Sequence, residues 1–185
     1  MKDNKFAYFL NAVHYCIWLW DIKFQDMING IVYAVISFIS RYMFLGKWGE
    51  RFNESQAQRK MEFEKIRYDM KNGIHIASAH HWFGYLYSCY PGFLSFVMFG
   101  YFFRCYGFIN TGIKIFIIAL PIGLFYIPAY QLVFSNDCYL RYFKKFEEED
   151  EVWHSKWKRI TMLFCVGGIL ITLLGMGISW AILVR

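Results

Sequence analysis

Three of the five histidines lie within seven positions, in the stretch GIHIASAHHWFGYLY at residues 73 to 87. Imidazole nitrogens bind zinc and iron, so His75, His80 and His81 are candidate ligands of a metal-dependent membrane enzyme. Zinc motifs on helices place two histidines four residues apart, whereas these follow one another at intervals of five and one. Membrane di-iron oxygenases use several histidine boxes, and this sequence holds one loose cluster. We therefore expect interfacial polar residues and no cofactor, with pH sensing as an open alternative.

A second set of polar residues lies inside an apolar segment near the start of the chain. The spacings of three, seven and four residues place these side chains on one face of a helix: Asn11, His14, Asp21 and Gln25. Ionisable groups inside a membrane are functional candidates, and in an oligomer such a face would line a pore. A helix with one polar face is also typical of an interfacial anchor or of packing in a bundle. We favour the anchor or the packing.

Small residues recur at helix-packing intervals in two later segments. They are Gly84, Ser88, Gly92 and Gly100 in one segment and Gly168, Thr172, Gly175 and Ser179 in the other. Small residues let helix backbones approach in lipid, where no hydrophobic drive brings helices together. The pattern predicts packing between helices of one chain, with a subunit interface as the alternative.

The elements that carry these residues are apolar and long. The chain of 185 residues is 57% apolar and 22% aromatic, whereas soluble domains are about 45–50% apolar. A helix that crosses a bilayer needs about 20 apolar residues, and five segments are candidates: 6–24, 27–45, 82–103, 111–135 and 160–184. The sequence therefore predicts one membrane domain over residues 1–185, an all-α polytopic bundle of four or five transmembrane helices, depending on whether 6–24 spans the membrane.

The distribution of Lys and Arg predicts the orientation. The loop 46–81 holds seven basic residues and the loop 136–159 holds six, whereas the connections 21–26 and 104–110 hold one each. Because basic residues concentrate on the cytoplasmic side, both long loops are expected in the cytoplasm of a bacterium, with the bundle in its inner membrane. This bias explains the net charge of +6, and nucleic acid is not an expected partner.

The two loops carry distinct patterns. Apolar residues recur at helical spacing between a capping pattern at 53–56 and Gly73, which predicts an amphipathic cytoplasmic helix at about 54–72. This helix would lie on the headgroups or dock a soluble partner. The second loop holds five consecutive acids, Glu147 to Glu151, which we interpret as a solvated surface or as a docking surface.

These patterns favour a non-enzymatic membrane protein that acts as a subunit or accessory of a membrane assembly. Its expected partners are the lipid bilayer, copies of itself or other membrane subunits, and a soluble cytoplasmic protein. One alternative is an oligomeric pore or a defence or toxin-type membrane effector. The other is the metal-dependent enzyme built on the histidine cluster.

Overall fold

The computed structural model describes residues 4–43, 68–108 and 110–184. Within these ranges the secondary structure is helical: α1 (Lys5–Met43), α2 (Ile74–Tyr106), α3 (Thr111–Val133), α4 (Cys138–Glu147) and α5 (Glu151–Val184). A single 3-10 turn, Ser135–Asp137, joins α3 to α4. All of these helices except α4 contain a segment long and apolar enough to cross a membrane. The predicted all-α bundle is therefore confirmed, with four candidate spans.

Helix α1 replaces the two predicted spans 6–24 and 27–45. The charged connection 21–26 was expected to be a turn, but it is helical and α1 runs through it without a break. The polar residues of this stretch are compatible with a helix, since neither Gly nor Pro is among residues 21–26. Gln25 also donates to Asp21 one turn earlier, over 3.1 Å. At about 1.5 Å per residue, α1 is about 58 Å long, well beyond the 30 Å of a bilayer core.

The chain forms two compact units, one of Met1–Cys16 with His81–Arg185 and one of Ile17–His80. In the first unit, α2 and α5 run parallel. Gly168 lies beside Leu86, and Gly175 lies beside Phe93 seven residues further along both helices. Thr172 donates to the Cys89 carbonyl over 3.1 Å between these two points. The glycines thus let the two backbones approach along most of their length.

Helix α3 runs antiparallel to α2 in the same unit. Gly84 lies beside Tyr126, and Ser95 donates to the Ile118 carbonyl over 2.8 Å. At the far end of α2, Arg104 donates to the Ile182 carbonyl of α5 over 2.7 Å. This bond satisfies one of the carbonyls that the last turn of a helix leaves without a partner.

The predicted loop 136–159 is mostly helical. Asn136 and Asp137 adopt positive φ angles of 55° and 51°, a conformation that these two residue types tolerate, and α4 follows. Helix α5 then begins at Glu151 rather than at residue 160. Its start is capped by Asp150, whose carboxylate accepts the Trp153 amide over 2.8 Å. The acidic run therefore forms the turn between α4 and α5.

Buried aromatic residues hold α4 against the rest of the first unit. Phe143 and Phe146 are fully buried. The Trp153 ring stacks on Phe146 with 4.8 Å between the centroids, and its indole nitrogen donates to the Tyr8 hydroxyl over 2.9 Å. The aromatic side of α4 is therefore part of the bundle core.

The predicted helix 54–72 lies mainly outside the described residues. Its last part, residues 68–72, is a bend and a turn rather than a helix. Gly73 does not close a helix there but immediately precedes α2, where its carbonyl accepts the Ala77 amide. Helix α2 thus begins eight residues before the predicted span 82–103.

Candidate functional site

Asp21, halfway along α1, is the centre of a polar cluster in the unit Ile17–His80. Its Oδ2 lies 2.8 Å from His75 Nδ1 and accepts a hydrogen bond from Gln25. Its Oδ1 accepts the Ser78 hydroxyl over 2.8 Å. The side chain of Asp21 is 8% exposed and that of His75 is fully buried. The carboxylate therefore orients the imidazole and joins α1 to the first turn of α2.

A tyrosine extends this cluster. The Tyr68 hydroxyl donates to the Asp26 carboxylate over 2.9 Å, and its ring centre lies 5.7 Å from that of His75. Tyr68, Asp26 and Ser78 were not among the residues predicted to form a site. The spacing of three between His75 and Ser78 places both on one face of α2, but the sequence predicted the start of this helix only at residue 82.

The geometry of the cluster limits its chemistry. In a serine hydrolase the histidine lies between serine and aspartate, because it takes the proton from the hydroxyl. Here the Ser78 hydroxyl bonds to the carboxylate rather than to the imidazole. The arrangement orients the His75 imidazole, and the Ser78 hydroxyl is held by the carboxylate instead.

The three histidines of the predicted cluster differ in burial. His80 is half-buried and His81 is exposed, whereas His75 is buried. Over the described ranges, the structure brings together no group of three His, Cys, Asp or Glu side chains that could hold a metal ion. The metal-dependent enzyme therefore gains no further support from this geometry.

Asn11 and His14, in the other unit, are completely buried. The Asn11 amide nitrogen donates to the carbonyls of Ala7 and Leu132, over 2.8 and 3.2 Å, which ties α1 to α3. These two bonds fix the orientation of the amide. Its oxygen has no hydrogen-bond partner among the described residues, at a cost of about 1–3 kcal/mol for a buried polar atom.

His14 is enclosed by aromatic rings. The centres of four rings lie 5.1 to 5.7 Å from that of the imidazole, and they belong to Phe83, Phe134, Tyr139 and Phe143. The polar face of α1 thus points into the protein at Asn11 and His14. An interfacial anchor would turn it to water, and a pore would need it accessible between subunits.

The predicted small residues of α5 all face α2 of the same chain. Gly168, Thr172 and Gly175 contact its middle, and Ser179 lies against Gly100. A methyl group built on Gly100 would lie 2.9 Å from the Ser179 Cα, closer than real side chains pack. Of the remaining residues, Gly84 faces α3, Ser88 is half-buried, and Gly92 is buried with nothing within 4 Å of such a methyl.

The sequence matches no known protein family, no curated protein and no solved structure.

Proposed function

We propose that this chain is a non-enzymatic multi-pass membrane protein that acts as a subunit or accessory of a membrane assembly. One observation carries the proposal: the exposed α1 segment, residues 27–39. Large apolar side chains that are 40 to 64% exposed follow one another along it, including Met27, Ile31, Val35 and Phe38. Apolar side chains of this size are usually buried in a soluble protein, whereas these remain exposed.

The distribution of these side chains around the helix supports a membrane setting with a helical partner. A surface helix of a soluble protein buries one apolar stripe and exposes a polar face. Ile31, Val32 and Tyr33 are consecutive and all exposed, so apolar groups cover more than half of the circumference of the helix. Gly30 and Ala34 are four residues apart on the same segment, the spacing at which small residues let membrane helices associate.

The same proposal includes orientation in a bacterial inner membrane. The basic loops 46–81 and 136–159 would face the cytoplasm, on the basis of their Lys and Arg content. The acidic turn between α4 and α5 would then be available to a soluble cytoplasmic partner. Glu147 and Glu148 are both exposed there.

Cys105 offers a test of the orientation. It is exposed near the end of α2, next to the short connection between α2 and α3. A membrane-impermeant maleimide is expected to label it in intact spheroplasts, and Cys105→Ser should remove the label. In the Cys105→Ser background, a cysteine at Glu148 should react only after the membrane is opened. Labelling of position 148 in intact spheroplasts would show that the orientation is opposite to the proposed one.

Photo-crosslinking tests the assembly. A photoreactive phenylalanine analogue at Phe38, which is 64% exposed on α1, is compared with the same analogue at Phe116, which is 62% exposed on α3. We expect adducts to protein, either a second copy or another membrane subunit, at position 38 and adducts to lipid alone at position 116. Lipid adducts alone at both positions would contradict the assembly role.

A further inference from the structure

An apolar cavity of about 300 Å³ lies where α1 begins, within the unit that contains the bundle. Four helices contribute to its wall. Phe6 and Phe9 come from the first turns of α1, Leu94 from α2, Phe125 from α3 and Phe164 from α5. Phe6, in the first turn of α1, lies beside Leu94 in the second half of α2. The cavity is therefore located where α1 begins to pack against the other three long helices.

The wall of the cavity is apolar although two tyrosines take part in it. The Tyr90 hydroxyl donates to the Phe164 carbonyl over 2.7 Å, and the Tyr87 hydroxyl donates to the Phe125 carbonyl over 3.3 Å. Both phenolic groups are therefore engaged with backbone, and the tyrosines present their rings to the cavity. A water-soluble ligand would need polar groups to orient it, and this wall offers aromatic and aliphatic carbon.

The cavity is continuous with the surface that the spans present to lipid. Phe6, Leu94 and Phe125 line it and are 46, 41 and 51% exposed. A dry apolar cavity of about 150 Å³ accepts a molecule as large as benzene, so this one has room for several methylene groups. We propose that it binds the end of a lipid acyl chain, taken up from the surrounding bilayer between α1 and the other helices.

The test uses the full chain in nanodiscs of phosphatidylglycerol and phosphatidylcholine that contain a phospholipid with a diazirine near the end of one acyl chain. After illumination, mass spectrometry of the peptides locates the adducts. We expect adducts on Phe6, Tyr90 and Leu94 at least fivefold above those on Leu170, a more exposed residue of α5 (60%). Leu94→Trp, which fills the cavity, should reduce the adducts on Phe6 and Tyr90 at least fivefold.

Leu170→Trp is the matched control, since it adds the same ring on the lipid-facing side of α5, and it should leave the cavity adducts unchanged. Adducts distributed in proportion to exposure, or equal adducts on Phe6 and Tyr90 in the two variants, would overturn the proposal. If Leu94→Trp does not fold, the proposal is tested by the unsubstituted protein alone, through the ratio of adducts in the cavity to adducts on Leu170. The result is independent of assembly, because a single chain contains the whole cavity.

Discussion

Replacing Gly175 by leucine is expected to lower the free energy of unfolding by about 3 kcal/mol, the upper end of the range for overpacking a core. A Cβ atom at this position would lie 3.1 Å from both the Cα and the carbonyl oxygen of Phe93. Backbone atoms cannot rotate away, so α2 and α5 must separate, and the contact between Thr172 and Cys89 must lengthen. The measurement is thermal or SDS-induced unfolding of the purified protein in detergent.

Gly177 on the same helix provides the control. It is exposed, and nothing lies within 4 Å of a Cβ atom built on it. Gly177→Leu makes the same change in composition and removes the same helix-weakening glycine, worth about 1 kcal/mol, without meeting α2. It should leave stability unchanged or slightly raised. Equal losses in the two variants would show that α2 and α5 do not pack through Gly175.

Asp21→Ala should destabilise the protein by about 3 kcal/mol, the upper end of the cost of leaving a buried polar group without its hydrogen-bond partner. The substitution removes the acceptor of both His75 and Ser78, and His75 is fully buried. Two polar groups would then lose this partner, and His75 would lose it at a fully buried position. Unfolding in detergent and hydrogen exchange of the first turns of α2 measure the effect.

Asp26→Ala is the control for this change, because Asp26 is an exposed carboxylate on the same helix. Exposed polar contacts such as its bond to Tyr68 contribute about 0–1 kcal/mol. A double-mutant cycle of Asp21→Ala with His75→Ala isolates the pair, since residues in direct contact show non-additive losses. Additive losses would mean that the carboxylate and the imidazole do not interact.

The apolar segments could be predicted from sequence because length and composition alone decide whether a helix can cross a membrane. The starts of α2 and α5 lie eight and nine residues before the predicted spans 82–103 and 160–184. Helix α5 begins at Glu151 because Asp150 caps it, and an acidic run at that place was interpreted as a surface rather than as the start of a helix. The break expected at 21–26 was wrong for a related reason. Charged side chains there indicated a turn, although helical hydrogen bonds continue through them.

The candidate site shows a different limit. Asp21 and His75 were each singled out by residue type, but in separate arguments, because 54 positions separate them in the sequence. Periodicity relates residues on one helix and carries no information on which helices touch. The same reason explains why the Asn11 face was identified but its direction was not. Asn11 points into the bundle because α3 packs against it there, and its hydrogen-bond acceptor on α3, the Leu132 carbonyl, is 121 positions away in the sequence.

The parallel pairing of α2 with α5 has a consequence for biogenesis. The hydrogen bond from Thr172 to Cys89 joins positions 83 residues apart, so at about 5–20 residues per second the ribosome needs about 4–17 s to add the intervening chain. During that time α2 has α3 as its neighbour, through Gly84 with Tyr126 and Ser95 with Ile118. The glycine-contacting side of α2 meanwhile faces the translocon or lipid, and the nascent hairpin must persist in the bilayer until α5 arrives.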